Sequence, residues 1–474
     1  MKSATRHLLN RFSYSATPEL GRQLESHGGG ARWLEHQLRP DAIDDAIAGG
    51  MRSWFPDLAI SPTRMGALKA SGHLNPADVM ADLARWTLLR RIYSRRQVQE
   101  VMTDFWSNLL HITSPSDKAW PYRITYDTTI RRHALGRFDS MLYAAITHPA
   151  MGCYLDNAKS TARSPNENLG RELLELHTVG RLAGYSEDEV VSSAYILTGW
   201  HVDMFNSWKA SYRPDDHYVG KVSVLGFSQA NKAHDGRQLT KDYLHYLAHH
   251  PATARRVALR LATRFISDAP SDKVVSDLAG VFSRSGTDIK ATLRALARHP
   301  EFLASAGRKV RTPTEDLVAT MRAIGVKARK PSGKDTDFAL ALLWESEAMG
   351  QKPFAWTRPD GFPDVADAWS SVSRILGSWQ VHYNAAGAWY PKTAVRFRTV
   401  HEWMPRLPAR FDAVLDHVCR RVISRPAPSR LLAACCAATG IRPHERIHSG
   451  HPLLTFKFPR MLHTVLDSPS HMTK

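Results

Sequence analysis

The sequence predicts an all-α protein, helical almost throughout, with one small β-hairpin insertion near residues 200–227. Three observations predict it: capping signals recur ahead of amphipathic runs, apolar residues repeat with the helical period, and strand-like alternation is confined to one segment. Thr17-Pro18-Glu19 places an N-cap, a first-turn proline and an acid ahead of the first such run. Ser94 with Gln97 has the capping-box spacing ahead of Val98 to Ile112, and Ser186 with Glu189 has it ahead of Val190 to Trp200. Thr312-Pro313-Thr314-Glu315 repeats the pattern ahead of Leu317 to Gly325. Alternation appears between Trp200 and Phe227, where HVDMF, ASYR and KVSVLGF sit around polar turns and predict the hairpin.

Four His-Pro pairs occur, at 148, 250, 299 and 451, and the first three each follow a helical run. They are expected to close those helices, with the imidazole at the negative end of the dipole and proline as the stop. A basic, polar stretch from Val326 to Thr336 reads as a linker. It divides the chain into a main helical domain, 1–325, and a C-terminal helical region, 337–474, expected to pack on it. A chain of 474 residues buries enough surface to need no disulfide or metal staple.

Lys and Arg number 63 against 45 Asp and Glu, a net charge of +18. Such a balance favours acidic partners, an acidic glycan or envelope polymer among them. The basic residues form no recognisable nucleic-acid module, so nucleic acid is not the expected partner. They are densest from Lys392 to Arg430, where nine stand against Glu402, Asp412 and Asp416. The four cysteines make no C-x-x-C pair, which argues against a thiolate zinc site. No apolar run is long enough to span a membrane, and the N-terminal residues lack a signal-peptide core. The chain is therefore expected to be cytoplasmic, with export after removal of a leader as the alternative.

The segment Tyr154 to Gly180 carries the strongest chemical signal. A helix is expected from near Asn166, and on a helical wheel Asn168, Arg171, Glu172 and Glu175 share one sector about 100° wide. Leu169, Leu173, Leu176 and His177 take the other side. Gly170 inside that helix costs ~1 kcal/mol relative to Ala, which points to close approach of another backbone or a ligand. Carboxylates projecting from one face cannot flank a bond by themselves, so Asp156 or Asp104 is the expected partner from elsewhere in the chain. The same polar sector also reads as a solvated face or as a structural network neutralised by Arg171.

These stretches carry a family resemblance. RHLLNRFSYSATP, DFWSN, SDKAW, IRRHALGRF, HPAMGCYLDNAKST, PNENLGRELLELHTVG, GYSEDEV, LTGW, VLGFSQAN, HPATARRVA and PDGFPD resemble the bacterial family catalogued as domain of unknown function 1800, in its actinobacterial form. The resemblance spans nearly the whole chain. It implies a mostly helical fold with no established activity, and a sulfatase-like protein as an exported partner. The chain departs from the family at DFWSN, where relatives continue with His and this sequence has Leu109, with His111 two residues on.

His444-Glu445-Arg446-Ile447-His448 matches H-E-x-x-H, which on a helix would make His444 and His448 zinc ligands. Pro443, Gly440 and Gly450 leave little room for that helix. His217 follows two aspartates in a loop and reads as hydrogen-bonded structure or a catalytic imidazole. Trp106, Trp120, Trp200 and Trp208 read as core anchors or as a sugar-binding groove. No phosphate-binding glycine loop or nucleophile elbow occurs. Three functional readings stand: a carboxylate-based hydrolase of a cell-envelope polymer built on Glu172 and Glu175, an H-E-x-x-H metallohydrolase, and a non-catalytic binding or scaffold protein. The sequence leaves the cofactor and metal content undetermined.

Overall fold

In the computed structural model, which describes residues 1–474, helices are joined by short loops and by four two-stranded antiparallel ladders. No helix is long and apolar enough to cross a membrane. Helix Pro313–Ile324 runs through the middle, with every residue from Pro313 to Met321 buried. Helices Pro76–Tyr93, Phe338–Ala348, Val372–Gly387 and Phe411–Val422 pack around it. One cluster of 109 buried apolar residues extends from Leu9 to Leu466, so helices on both sides of 326–336 share a core. Within that stretch Lys327–Ala328 pairs with Val395–Arg396.

Most predicted starts are built as the sequence implies. Thr17 accepts the Leu20 N–H with Pro18 in the first turn, and both capping boxes, Ser186 with Glu189 and Thr312 with Glu315, are formed. The Ser94 box is not. Its hydroxyl accepts the Arg96 N–H and donates to Asp45 at 2.8 Å, while the Gln97 amide turns inward to the Ser94 carbonyl at 2.7 Å. The helix therefore begins only at Gln97.

The first three His-Pro pairs close the preceding helices as expected, His250 and His299 standing at the C-cap positions, but their imidazoles act on the other side of the boundary. His148, His250, His299 and His451 each begin the next helical segment, with Nδ1 accepting the N–H two residues on at 3.0–3.2 Å. A ring nitrogen that accepts must be unprotonated, and burial pushes the His148 imidazole down to about 4. The β insertion is two successive hairpins, Trp200–Val202 with Ala210–Tyr212 and Val222–Val224 with Phe227–Gln229. The other two ladders are two-residue contacts between distant segments.

The central helix carries two adjacent buried carboxylates. Glu315 pairs with Arg264 at 2.8 Å and with Lys474. Asp316 faces His382 at 3.4 Å and Arg374 at 3.6 Å. Burial opposes both charges, but these cations hold both carboxyls well below the usual range. The His382 imidazole, gripped also by Asp467 at 2.8 Å, is lifted to about 9 despite its burial. Neighbouring Glu345 lacks such help: neither carboxylate oxygen has a hydrogen-bond partner, and burial pushes its carboxyl up to about 8.

A carboxyl raised on folding holds its proton more tightly in the native state. Its contribution is therefore favourable at low pH and is lost as pH rises from about 4.5 to about 8. Glu345→Gln is expected to match the wild type near pH 5 and to exceed it by on the order of a few kcal/mol at pH 8. Urea unfolding at several pH values measures the difference, and a constant offset across that range would contradict the assignment.

Candidate functional site

Asn166 caps helix Glu167–Glu172 by accepting the Asn168 N–H at 2.9 Å. The chain continues as a π-helical turn, Leu173–His177, an arrangement frequent at functional sites. The wider turn changes which side chains face inward: Leu169, Leu173, Leu174 and His177 are buried, while Leu176, expected in the core, is partly exposed. Gly170 is explained by packing, because a Cβ there would lie 2.8 Å from the Ala194 nitrogen on helix Glu187–Ile196. Close approach of a backbone, not a ligand, accounts for it.

The opposite face divides in two. Asn168 is exposed, and Arg171 turns away from the two glutamates to pair with Glu187 at 2.5 Å and Glu167 at 3.1 Å. Glu175 pairs with Arg181 at 2.5 Å. Glu172 makes no hydrogen bond or ion pair to the protein. It is about half buried, and burial, then Glu175 and Asp360, raise its carboxyl. Tyr154 lies in the same field: burial, then Glu172 and Asp360, lift its phenol to about 12.

Asp360 comes from a loop, residues 352–364, that docks on the end of helix Gln97–Leu109. The Asn108 amide clamps Phe362 through two 2.7 Å bonds, to its carbonyl and from its N–H. Gly361, at φ +73°, lies so close that a Cβ would overlap the Asn108 carbonyl oxygen. His111 bonds the Trp356 carbonyl at 2.8 Å, and the Ser114 N–H donates to Phe354 at 2.8 Å. Burial pushes the His111 imidazole down to about 4, so it holds the loop as a neutral group. Within the loop, Trp356 Nε1 donates to Asp360 at 2.7 Å and Arg358 pairs with it at 3.0 Å.

The loop's far end is anchored by charge. Asp364 meets Lys309 at 3.2 Å and Arg264 at 3.4 Å, and Arg264 also reaches Asp104 at 3.3 Å. Asp104 is thus part of this network, bonded further to Arg91 at 2.5 Å. Asp156 is elsewhere too, paired with Lys118 at 2.5 Å.

The remaining candidates have structural surroundings. His444 to His448 is a turn leading into the two-residue strand Arg446–Ile447, paired with Ala409–Arg410, so the helix that would bring two imidazoles together is absent. His444 bonds Arg410, and Glu445 bonds His451 at 3.0 Å. His217 is buried between Thr198 and the Asn231 amide at 3.2 Å. Trp106, Trp120 and Trp208 are buried anchors. Two clusters hold metal-ligating side chains, Asp139/His245/His249 and Asp316/His382/His471. In the first, Arg137 already takes Asp139 at 2.8 Å; in the second, Arg374 faces Asp316.

Residues missed at the sequence level are Asp360, Tyr154 and Trp356. PDGFPD is a turn sequence and a family stretch, but nothing in its spacing ties it to Glu172. The family model described as a protein of unknown function (DUF1800) matches residues 7–473. No curated protein and no solved structure matches the chain.

The two kinds of carboxylate respond oppositely to removal of charge. Glu172→Gln relieves a raised carboxyl and is expected to melt at or above the wild-type temperature at neutral pH. Asp364→Asn removes one of the carboxylates shared by Lys309, which keeps Asp268, and Arg264, which keeps Glu315, and is expected to cost on the order of 1–3 kcal/mol. Glu187→Gln, on the surface, should leave the melting temperature close to that of the wild type. Parallel thermal melts decide the order.

Proposed function

We propose that this chain, which belongs to the DUF1800 family of unknown function, is a carboxylate-based hydrolase of an envelope polymer, with Glu172 as proton donor. The observation that carries the reading is an unpaired, half-buried Glu172 whose carboxyl is raised beside Asp360 and Tyr154. A general acid must keep its proton near the working pH, and burial beside like charge does that. Asp360 arises from a different element, so the two carboxyls can lie on either side of a bond, which Glu172 and Glu175 cannot do. In the hydrolytic step Glu172 donates its proton to the leaving oxygen, and Asp360 takes a proton from the water that attacks the carbon. Trp356 and Tyr154 offer aromatic faces to a sugar ring. Arg181 and Arg358, both largely exposed, favour an acidic polymer.

The test is release of reducing ends from purified acidic cell-wall polysaccharide. The wild type is expected to turn over, and Glu172→Gln and Asp360→Asn are each expected to lose at least 100-fold with melting temperature retained. Equal rates in all three proteins would remove Glu172 from the mechanism. Retained binding without any turnover would leave the chain a binding protein.

A further inference from the structure

A large cavity lies away from Glu172 and shares no residue with that site. Its volume is about 880 Å³, within the range of small-molecule pockets. It opens where the start of helix Pro18–Ser26, the ends of helices Pro76–Tyr93 and Pro313–Ile324, and the end of helix Phe411–Val422 converge. Six arginines line it: Arg22, Arg95, Arg322, Arg398, Arg420 and Arg421, with Lys327 beside them. The one acid on the wall is Glu19.

None of these seven cations has a carboxylate within 4 Å. Several exposed arginines elsewhere do have carboxylate partners, as Arg171 has Glu187, Arg237 has Asp235 and Arg410 has Asp412; what sets this wall apart is that seven unpaired cations converge on one cavity. Like charges gathered without counter-charge raise each other's energy, and a bound anion relieves it. Several are also held in place. Arg322 Nη1 donates to the carbonyls of Arg91 and Ile92, and Nη2 makes no protein hydrogen bond. Arg398 lies against Gly325, where a Cβ would come within 2.6 Å of its Nη2, and over the Trp403 ring at 5.6 Å. Burial first and then Arg421 lower the Arg398 guanidinium, with Glu402 opposing the shift. Arg421 Nε donates to His417 Nε2 at 3.2 Å.

The rest of the wall is apolar. Met51, Ile92, Met321 and Val326 contribute to it, and Ile47, one of the most exposed large apolar side chains at 70%, stands at the cavity. Planar guanidinium forks match phosphate oxygens in pairs, and an apolar wall takes an apolar body. We infer that this cavity is a binding site for an organic diphosphate, its phosphates held by Arg398, Arg420 and neighbouring arginines and its apolar body lying against Ile47, Met51 and Ile92.

Titration calorimetry of the full chain at physiological salt tests the site with three probes: inorganic pyrophosphate, geranyl diphosphate and ADP. Pyrophosphate is expected to bind, and geranyl diphosphate to bind at least tenfold more tightly than either other probe. Arg398→Gln with Arg420→Gln should weaken geranyl diphosphate at least tenfold. Ile47→Ser, a surface change, should abolish the geranyl advantage and leave pyrophosphate unchanged. Melting temperatures confirm that each variant is folded. Absence of binding by all three probes, or binding indifferent to the arginine variants, overturns the site. Equal affinity for geranyl diphosphate and ADP overturns the apolar body. A single-stranded oligonucleotide that displaces geranyl diphosphate with a steep salt dependence overturns the small-ligand reading in favour of a polyanion.

Discussion

The fold depends on how two adjacent carboxylates, Glu315 and Asp316, are satisfied inside it. They sit on the most deeply buried helix, and an uncompensated charge there would cost several kcal/mol. Compensation comes from four side chains on three distant segments. Arg264 is brought by helix Pro251–Phe265, Lys474 by the chain's last residue, and Arg374 and His382 by helix Val372–Gly387. Each partner is far away in sequence, so meeting the charge requirement fixes how distant segments pack.

That requirement reaches the candidate site. Arg264 serves Glu315, Asp104 and Asp364 together, so one guanidinium joins the central helix, the Asp104 helix and the end of the loop that carries Asp360. The Asn108 clamp and Gly361 then hold the middle of the loop against the same helix end. Asp360, whose charge helps raise the Glu172 carboxyl, is therefore held on a rigid support. Around Glu172 negative charge gathers with arginines at its margins, whereas the large cavity gathers positive charge almost without relief. A protein of net charge +18 thus keeps two regions of opposite field.

The π-turn at Leu173–His177 shows where a sequence pattern stops being informative. The helical period correctly separated the glutamates from Leu169 and Leu173, because both readings agree over the first turns. One extra residue per turn then brought Leu174 inward and left Leu176 partly exposed. The His-Pro pairs illustrate another gap. His before Pro marks a helix boundary in either direction, and only the backbone shows that the imidazole caps the following helix.

By itself the sequence determined the helical class, most helix starts, the place of the β insertion, the family and the polar face bearing Glu172. These follow from local rules: capping spacing, period and contiguous motifs act over a few residues and are legible in order along the chain. Tertiary structure alone decided that Arg171 leaves the glutamates for Glu187, that Asp104 and Asp156 lie in other networks, and that H-E-x-x-H is a turn and strand. It alone placed the Asp360 charge where it raises the Glu172 carboxyl and assembled arginines from both ends of the chain around one cavity. Charge pairing over a few ångströms depends on where the core places its helices, and no spacing along a chain encodes that distance.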